Sequence, residues 1–365
     1  MGYVDQARDG ILGWLEGIRY PDEGWGRWPY HAKMQRPYAL ISSGSAIGLH
    51  QSLGALAGVP EAQRKEALAF LQGCQDPADG YYRDPLVREA DHIGDHSWEQ
   101  IYGQMSGAER AVRALGGESP YPVPAARFAD LDEEDPAAFT RRIDWSNPWA
   151  HGESWSRAIQ SFLRARGLIA DGANDGRPGR AEKDTTPAVL TAAQAHLAGA
   201  FAVYENEVLD RGTGYPSRLM PDPEPSRAMA GLFKCMMAYC AAGLTVPCAK
   251  QALDSTLALQ HEDGEFGFRN NMCINWDALW VLRELDLQVD AGYRHDEVVA
   301  AGVACADHLM RRYRQSDGGF AFHGGEGCMS NHHSIQLSPQ RYPISDTLGT
   351  IMSLRCLEYV DEWLG

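Results

Sequence analysis

The sequence has no uninterrupted apolar stretch long enough to cross a bilayer, which excludes a helical membrane span. It has no run of lysine or arginine. Its 33 basic residues face 49 acidic ones, for a formal net charge of -16. Such a surface repels nucleic acid and anionic membranes, and no local basic patch compensates. Strand signals are nearly absent. No glycine cluster stands between a strand and a helix, none carries the Lys-Ser/Thr of a phosphate loop, and there is no Gly-x-Ser-x-Gly elbow. Phosphate-loop, dinucleotide and serine-elbow readings therefore fail. The eight cysteines (Cys74, Cys235, Cys240, Cys248, Cys273, Cys305, Cys328 and Cys356) are scattered, mostly within apolar helical patterns. Reduced core thiols in a cytoplasmic protein suit that pattern better than a disulfide frame. The opening MGYVDQARDGILGWLEG has no basic segment leading into an apolar run, and reads as an amphipathic helix rather than a secretory signal.

What is present is a repeat. The segment HLMRRYRQSDGGFAF (308–322) aligns with STLALQHEDGEFGF (255–268) and LAFLQGCQDPADGYY (68–82). Each runs apolar helix, Gln, short spacer, Asp-Gly or its equivalent, aromatic. Looser copies stand at 14–25, 204–215 and 139–149. The period, about 50–65 residues, is that of a repeat architecture. After each copy comes a second helical stretch, apolar or small nearly all round, as a helix buried on every side should be: 39–56, 97–115, 153–167, 226–244, 272–285 and 344–360. The first helix of each pair is more amphipathic. Six pairs of one outer and one buried helix predict an all-α fold, an (α/α)6 toroid around a central cavity. With 365 residues and no linker or composition break, the expectation is one domain over 1–365. The outer-to-inner connections are long and hold the histidines and aromatics. Long loops on a rigid scaffold are where sites form.

The Gln–Gly–aromatic corners Gln75/Gly80/Tyr81, Gln260/Gly264/Phe266 and Gln315/Gly318/Phe320 resemble the repeats of the terpenoid cyclase and protein prenyltransferase superfamily. The resemblance spans most of the chain and implies the fold rather than the reaction, because the corner motif of those families ties hairpins together. Class II cyclases protonate an alkene with a D-x-D-D box leading into a helix. The nearest string, DLDEED (130–135), lacks the final Asp and precedes an outer helix. There it reads as acidic residues at a helix N-terminus. Asp346, at the start of the last inner helix, is better placed but is a single Asp. The prenyltransferases and lanthionine cyclases hold zinc with Cys and His. Cys273, Cys328 and His332 or His333 would be chemically suited to that metal, against the plainer reading of structural cysteines and loop histidines. No cofactor is otherwise expected.

Four clusters would face the mouth of such a fold. DHIGDHSWEQIY offers His96, Trp98, Glu99 and Tyr102, with Glu99 and Tyr102 on one helical face; the alternative is a capped helix start. WSNPWAHGESW offers Trp149, His151 and Trp155, an aromatic wall or a set of core plugs. FRNNMCINWDALW offers Asn275, Trp276 and Asp277. A carboxylate inside an apolar helix is expensive, so Asp277 has a partner or is a tuned acid. The long segment from His323 through His332 and His333 to Asp346 is a binding loop or a surface loop. Tyr30, His31 and Arg218 sit at the same expected end.

Two enzymatic readings follow. In the first, Asp346 or Asp277 protonates an isoprenoid or related small substrate and tryptophans stabilise the carbocation, as in cyclase or isomerase chemistry. In the second, a glycoside hydrolase or uronate lyase acts on an oligosaccharide, either with paired carboxylates such as Glu99 and Asp277 as acid and base, or by a β-elimination on His, Tyr and Arg groups, with Asn or Arg neutralising the uronate and His96 a catalytic candidate. A non-catalytic binding protein is the third reading. None requires nucleic acid or membrane insertion.

Overall fold

In the computed structural model, residues 2–95, 98, 101, 107–122, 131–169, 187–332 and 334–365 are described. The protein is all-α, with the outer–inner helix alternation of an (α/α)6 fold. The described residues hold twelve α-helices and one pair of two-residue strands, Asn331–His332 with Ile335–Gln336. None of these helices is long and apolar enough to cross a membrane. The chain gathers into two compact units, residues 1–124, 269–273 and 306–365, and residues 125–268 and 274–305.

In the first unit, α1 (Tyr3–Ile18) buries Ala7, Ile11, Trp14, Leu15 and Ile18, one stripe at helical spacing. No side chain at Gly2 caps α1. Instead Asp361, near the end of the last helix α12 (Thr347–Leu364), accepts the Tyr3 and Val4 amides at 2.8 and 2.9 Å. The first and last helices are thus neighbours. The inner helix α2 (Leu40–Ser52) buries serines as well as apolar residues. Its Ser42 hydroxyl donates to the Trp28 carbonyl, and its Ser43 hydroxyl accepts from the Trp28 amide. Gly44 lets α2 approach the backbone of α4 (Gly107–Ala114), where a methyl would lie 2.9 Å from Gly107. The outer helix α3 (Glu61–Gly73) packs against α4.

The second unit holds α5 (Pro136–Arg142), α6 (Pro148–Ala165), α7 (Pro187–Val203), α8 (Pro225–Ala241) and α9 (Ala249–Leu257), with most of α10 (Met272–Asp286) and α11 (His295–His308). Three of these helices start on the same device, a Pro in the first turn behind a capping side chain: Asp135, Asn147 and Glu224. Helices α6 and α8 pack extensively on each other. Small residues permit it: a methyl on Gly231 would lie 2.7 Å from Pro148, and one on Gly152 would lie 3.3 Å from Cys235 Sγ.

The repeated corners are real elements. Isolated bridges pair Gln75 with Tyr82, Asp210 with Tyr215, Gln260 with Phe266 and Arg314 with Phe320. In the 68–82 copy the bridge partner is Tyr82, one residue beyond the Tyr81 that the sequence alignment selects. Two of the three corner glutamines act as ties: Gln260 Nε2 donates to the Gly264 and Ala301 carbonyls, and Gln75 Nε2 to those of Gly80 and Tyr121, whereas Gln315 Nε2 donates to the nearby Tyr313 carbonyl. Gly264 and Gly318 have φ of 95° and 102°, and a side chain on either would overlap backbone of an outer helix, Ala304 in α11 and Gly10 in α1. Corner glycines therefore serve both the turn and the close approach. The DLDEED string is capping and surface: Asp135 caps α5, Asp132 pairs with Arg166 and Glu134 with Arg142. Asp130 lies outside the described residues.

Candidate functional site

The site with the strongest chemistry is in the second unit, on three inner helices. Helix α6 presents Glu153 and Arg157 one turn apart, α8 presents Lys234, and α10 presents Asp277. The close approach allowed by Gly152 and Gly231 sets Lys234 Nζ 3.2 Å from Glu153 Oε2, while Arg157 grips Oε1 at 2.5 Å. These side chains lie deep in the unit yet keep about a fifth of their surface accessible (22% for Glu153, 20% for Lys234). The two cations hold the Glu153 carboxyl well below the usual range despite its burial. Asp277 is the opposite case. It is 2% exposed, and its Oδ2 has no hydrogen-bond partner among the described residues. Burial pushes its carboxyl up to about 8, the Lys234 charge pulling down and the Glu153 charge pushing up. It is therefore mostly protonated at neutral pH.

Aromatic rings flank it. Trp276 and Trp280 both pack on Phe233, with centroids 5.2 and 5.0 Å away. Neither indole N–H has an acceptor among the described residues. Asn275, expected to bind substrate, turns the other way: its Oδ1 accepts the Phe266 amide at 2.9 Å and braces the corner. Trp155 is fully buried, donates to the Thr140 hydroxyl and stacks on Tyr204 at 5.1 Å, which makes it a core plug. Trp149 lies against Phe268 at 6.4 Å. His151 is 46% exposed, 3.9 Å from Asp144, and Arg218 is exposed and donates to the Asn206 carbonyl.

The first unit gathers another set. The Tyr30 hydroxyl is 2.8 Å from His332 Nδ1 and 3.4 Å from Met329 Sδ. His31 is fully buried, its Nε2 without a hydrogen-bond partner among the described residues, and burial pushes its ring down to about 4, so it is neutral. Asp346 is fully buried at the start of α12. Its Oδ1 accepts Gly349 N at 2.7 Å, and its Oδ2 accepts Phe322 N and Met329 N at 2.8 and 3.2 Å. Burial pushes its carboxyl up to about 7 against the pull of these amides. This is an N-cap that also staples the preceding loop. Among the described residues, Cys273, Cys328 and His332 do not come together as a metal-ligand group. The Cys273 thiol faces Met352 Sδ at 3.9 Å, and burial pushes the Cys328 thiol up to about 11, so Cys328 is not poised as a thiolate. His323 donates toward the Asn270 carbonyl at 3.2 Å, and Trp98 lies against His92 at 5.3 Å. His96, Glu99, Tyr102 and His333 lie outside the described residues.

Sequence reasoning missed Lys234 and Arg157 and left Glu153 out of the catalytic set. A signal was present. Lys234 is the single charged residue between positions 228 and 241, the same anomaly that marked Asp277 in its helix.

No family model matches the chain, and no curated protein matches it either. Among solved structures it is similar to a protein from Actinoplanes, at 12% identity over 99% of each chain, with a TM-score of 0.46. It is similar to a variant of the type II terpene cyclase MstE from Scytonema in complex with geranylgeranyl dihydroxybenzoate, at 13% identity over 99% of this chain and 98% of that one (TM-score 0.45). A glycosyl hydrolase of family 88 from Bacteroides vulgatus is similar at 11% identity, over 97% of this chain and 99% of that one, with a TM-score of 0.43. Likenesses this distant specify neither reaction nor substrate.

Proposed function

We propose that the protein is an acid catalyst of terpenoid-cyclase type, acting on an isoprenoid or related small, largely apolar substrate. The observation that carries this reading is Asp277: a buried carboxyl, its pKa pushed up to about 8 by burial, with an oxygen that no described residue engages, beside aromatic rings. Its O–H bond breaks as an alkene's π electrons form a new C–H bond, which leaves a cation on the adjacent carbon. A second double bond captures that cation to close a ring, and loss of a proton to water restores neutrality. The Trp276, Trp280 and Phe233 rings can stabilise cationic intermediates through their faces. Lys234 favours the carboxylate left behind. Asp346 is the weaker candidate, because backbone amides already occupy both of its oxygens.

A second reading, a glycoside hydrolase, has one observation in its favour. Glu153 and Asp277 are carboxyl groups pushed to opposite ends of the acidity range, the pattern of an acid paired with an anionic stabiliser. The ion pairs that hold Glu153 ionised also make it a poor base, so the first reading is preferred. The deciding experiment incubates wild-type protein and Asp277→Asn with polyprenyl substrates and, separately, with unsaturated and saturated glycosides. Cyclised products that depend on Asp277 support the first reading; glycoside cleavage with no cyclisation replaces it with the second.

A further inference from the structure

Two carboxyl groups compete for one lysine, a relationship whose functional meaning rests on the acid reading above. Helix α8 lies so close to α6 that a methyl on Gly152 would sit 3.5 Å from Lys234 Cβ. The lysine stem therefore rises beside Glu153, the next residue of α6, and its Nζ donates to Glu153 Oε2 at 3.2 Å. Among the described residues no such bond joins Lys234 to Asp277, whose buried Oδ2 has no hydrogen-bond partner. Yet Lys234 and Glu153 are the two charges that act on Asp277, the lysine drawing its proton off and the glutamate holding it on. A buried carboxyl paired with an ammonium ionises, and one without a partner keeps its proton. The position of a single ammonium thus sets the form of Asp277.

We propose that Glu153 is a positioning residue: its carboxylate holds the Lys234 ammonium and keeps that cation from pairing with Asp277. Glu153 is gripped by Arg157 as well as Lys234, the arrangement of a fixed anion rather than of a base. The lysine stem is long and flexible, so an ammonium released from Glu153 can turn to another carboxylate. The other titratable groups at this level do not alter the balance. The Cys235 thiol on α8 and the Cys305 thiol on α11 are pushed up by burial and carry no charge. Glu284, about two turns along α10 from Asp277, is paired with Arg283. Arg157 acts on Lys234 through its like charge.

The test follows the Asp277 carboxyl in the full chain without substrate, by infrared difference spectroscopy against Asp277→Asn made in each background. In Glu153→Gln the protonated band is expected to disappear at least about one pH unit below the wild-type midpoint near 8, a tenfold loss of proton affinity. Lys234→Met, which keeps the Glu153–Arg157 pair, should move the midpoint up. Combining Glu153→Gln with Lys234→Met should return it to the wild-type value or above, because no ammonium is left to release. A double variant whose midpoint stays as low as that of Glu153→Gln overturns the proposal, since Lys234 then has no part in the shift. An unshifted Glu153→Gln overturns it too. If Glu153→Gln does not melt cooperatively, Glu153→Asp replaces it, keeping the charge and shortening its reach. A smaller downward shift is then expected, and no shift overturns the proposal. Turnover judges the acid reading separately: an active Asp277→Asn removes that reading, while the band shifts, which need no substrate, still judge the role of Glu153.

Discussion

Lys234 Nζ lies 3.2 Å from Glu153 Oε2, joining inner helices α6 and α8 where Gly152 and Gly231 let them approach. The ion pair holds the lysine whose charge acts on Asp277, so the acid site depends on a packing feature of the fold.

Asp277→Asn keeps the shape of the side chain and removes the proton donor. Turnover is expected to fall by about a thousandfold, in the range for loss of a general acid. Steady-state kinetics beside a near-ultraviolet circular dichroism spectrum check both loss of activity and retention of fold.

The same substitution changes the pH dependence of stability. The Asp277 carboxyl is raised in the folded state, to about 8, while in the unfolded chain it is an ordinary carboxyl. Between those values the folded protein holds a proton that the unfolded chain has lost. Stability therefore falls as pH rises from about 4 to about 8, by up to about 1.4 kcal/mol per pH unit from this group. Urea unfolding of the wild type and Asp277→Asn across pH 5 to 9 should show a difference that grows with pH in favour of the variant and levels off above pH 8.

Glu153→Gln leaves Arg157 and Lys234 without their shared anion. Breaking a buried pair by removing one partner costs about 3–5 kcal/mol, and the partial accessibility of Glu153 places this case near the lower end. A drop in the urea midpoint with an unchanged slope is the expected readout.

Asp346→Ala should behave as a structural lesion. It removes a helix cap and leaves the Gly349 and Phe322 amides without their acceptor, a loss of about 3 kcal/mol or more. Asp346→Asn keeps part of the cap and should lose less. Its activity, measured well below its melting temperature, is expected to stay within a few fold of wild type, which separates Asp346 from Asp277.

Gly318→Ala tests the corners. A side chain there must adopt φ of 102° and meets the Gly10 carbonyl, so destabilisation of about 2 kcal/mol or more is expected. Thermal unfolding would show it directly.

The helix alternation was legible because its signals are local: apolar periodicity along each helix and a Gln–Gly–aromatic corner between the members of a pair. Asp277 was legible for a related reason, since one carboxylate in an apolar helix breaks the pattern around it. Lys234 broke its own helix in the same way, but its meaning depends on Glu153, 81 positions away, and that proximity arises only when two glycines bring their helices together. Asp346 looked like an acid until the fold supplied amides from a loop 17 to 24 residues upstream. Trp155 looked like part of a wall until its indole proved to be paired with Thr140 and stacked on Tyr204. The one-residue slip from Tyr81 to Tyr82 reflects adjacent aromatics that only the bridge geometry separates.

The central claim is that Asp277 carries its proton at neutral pH. Infrared difference spectroscopy of wild type minus Asp277→Asn, scanned from pH 4 to pH 10, measures this directly. The account predicts a protonated-carboxyl band, absent from the variant, that persists through pH 7 and disappears with a midpoint near 8. A band that disappears near pH 4 would contradict it.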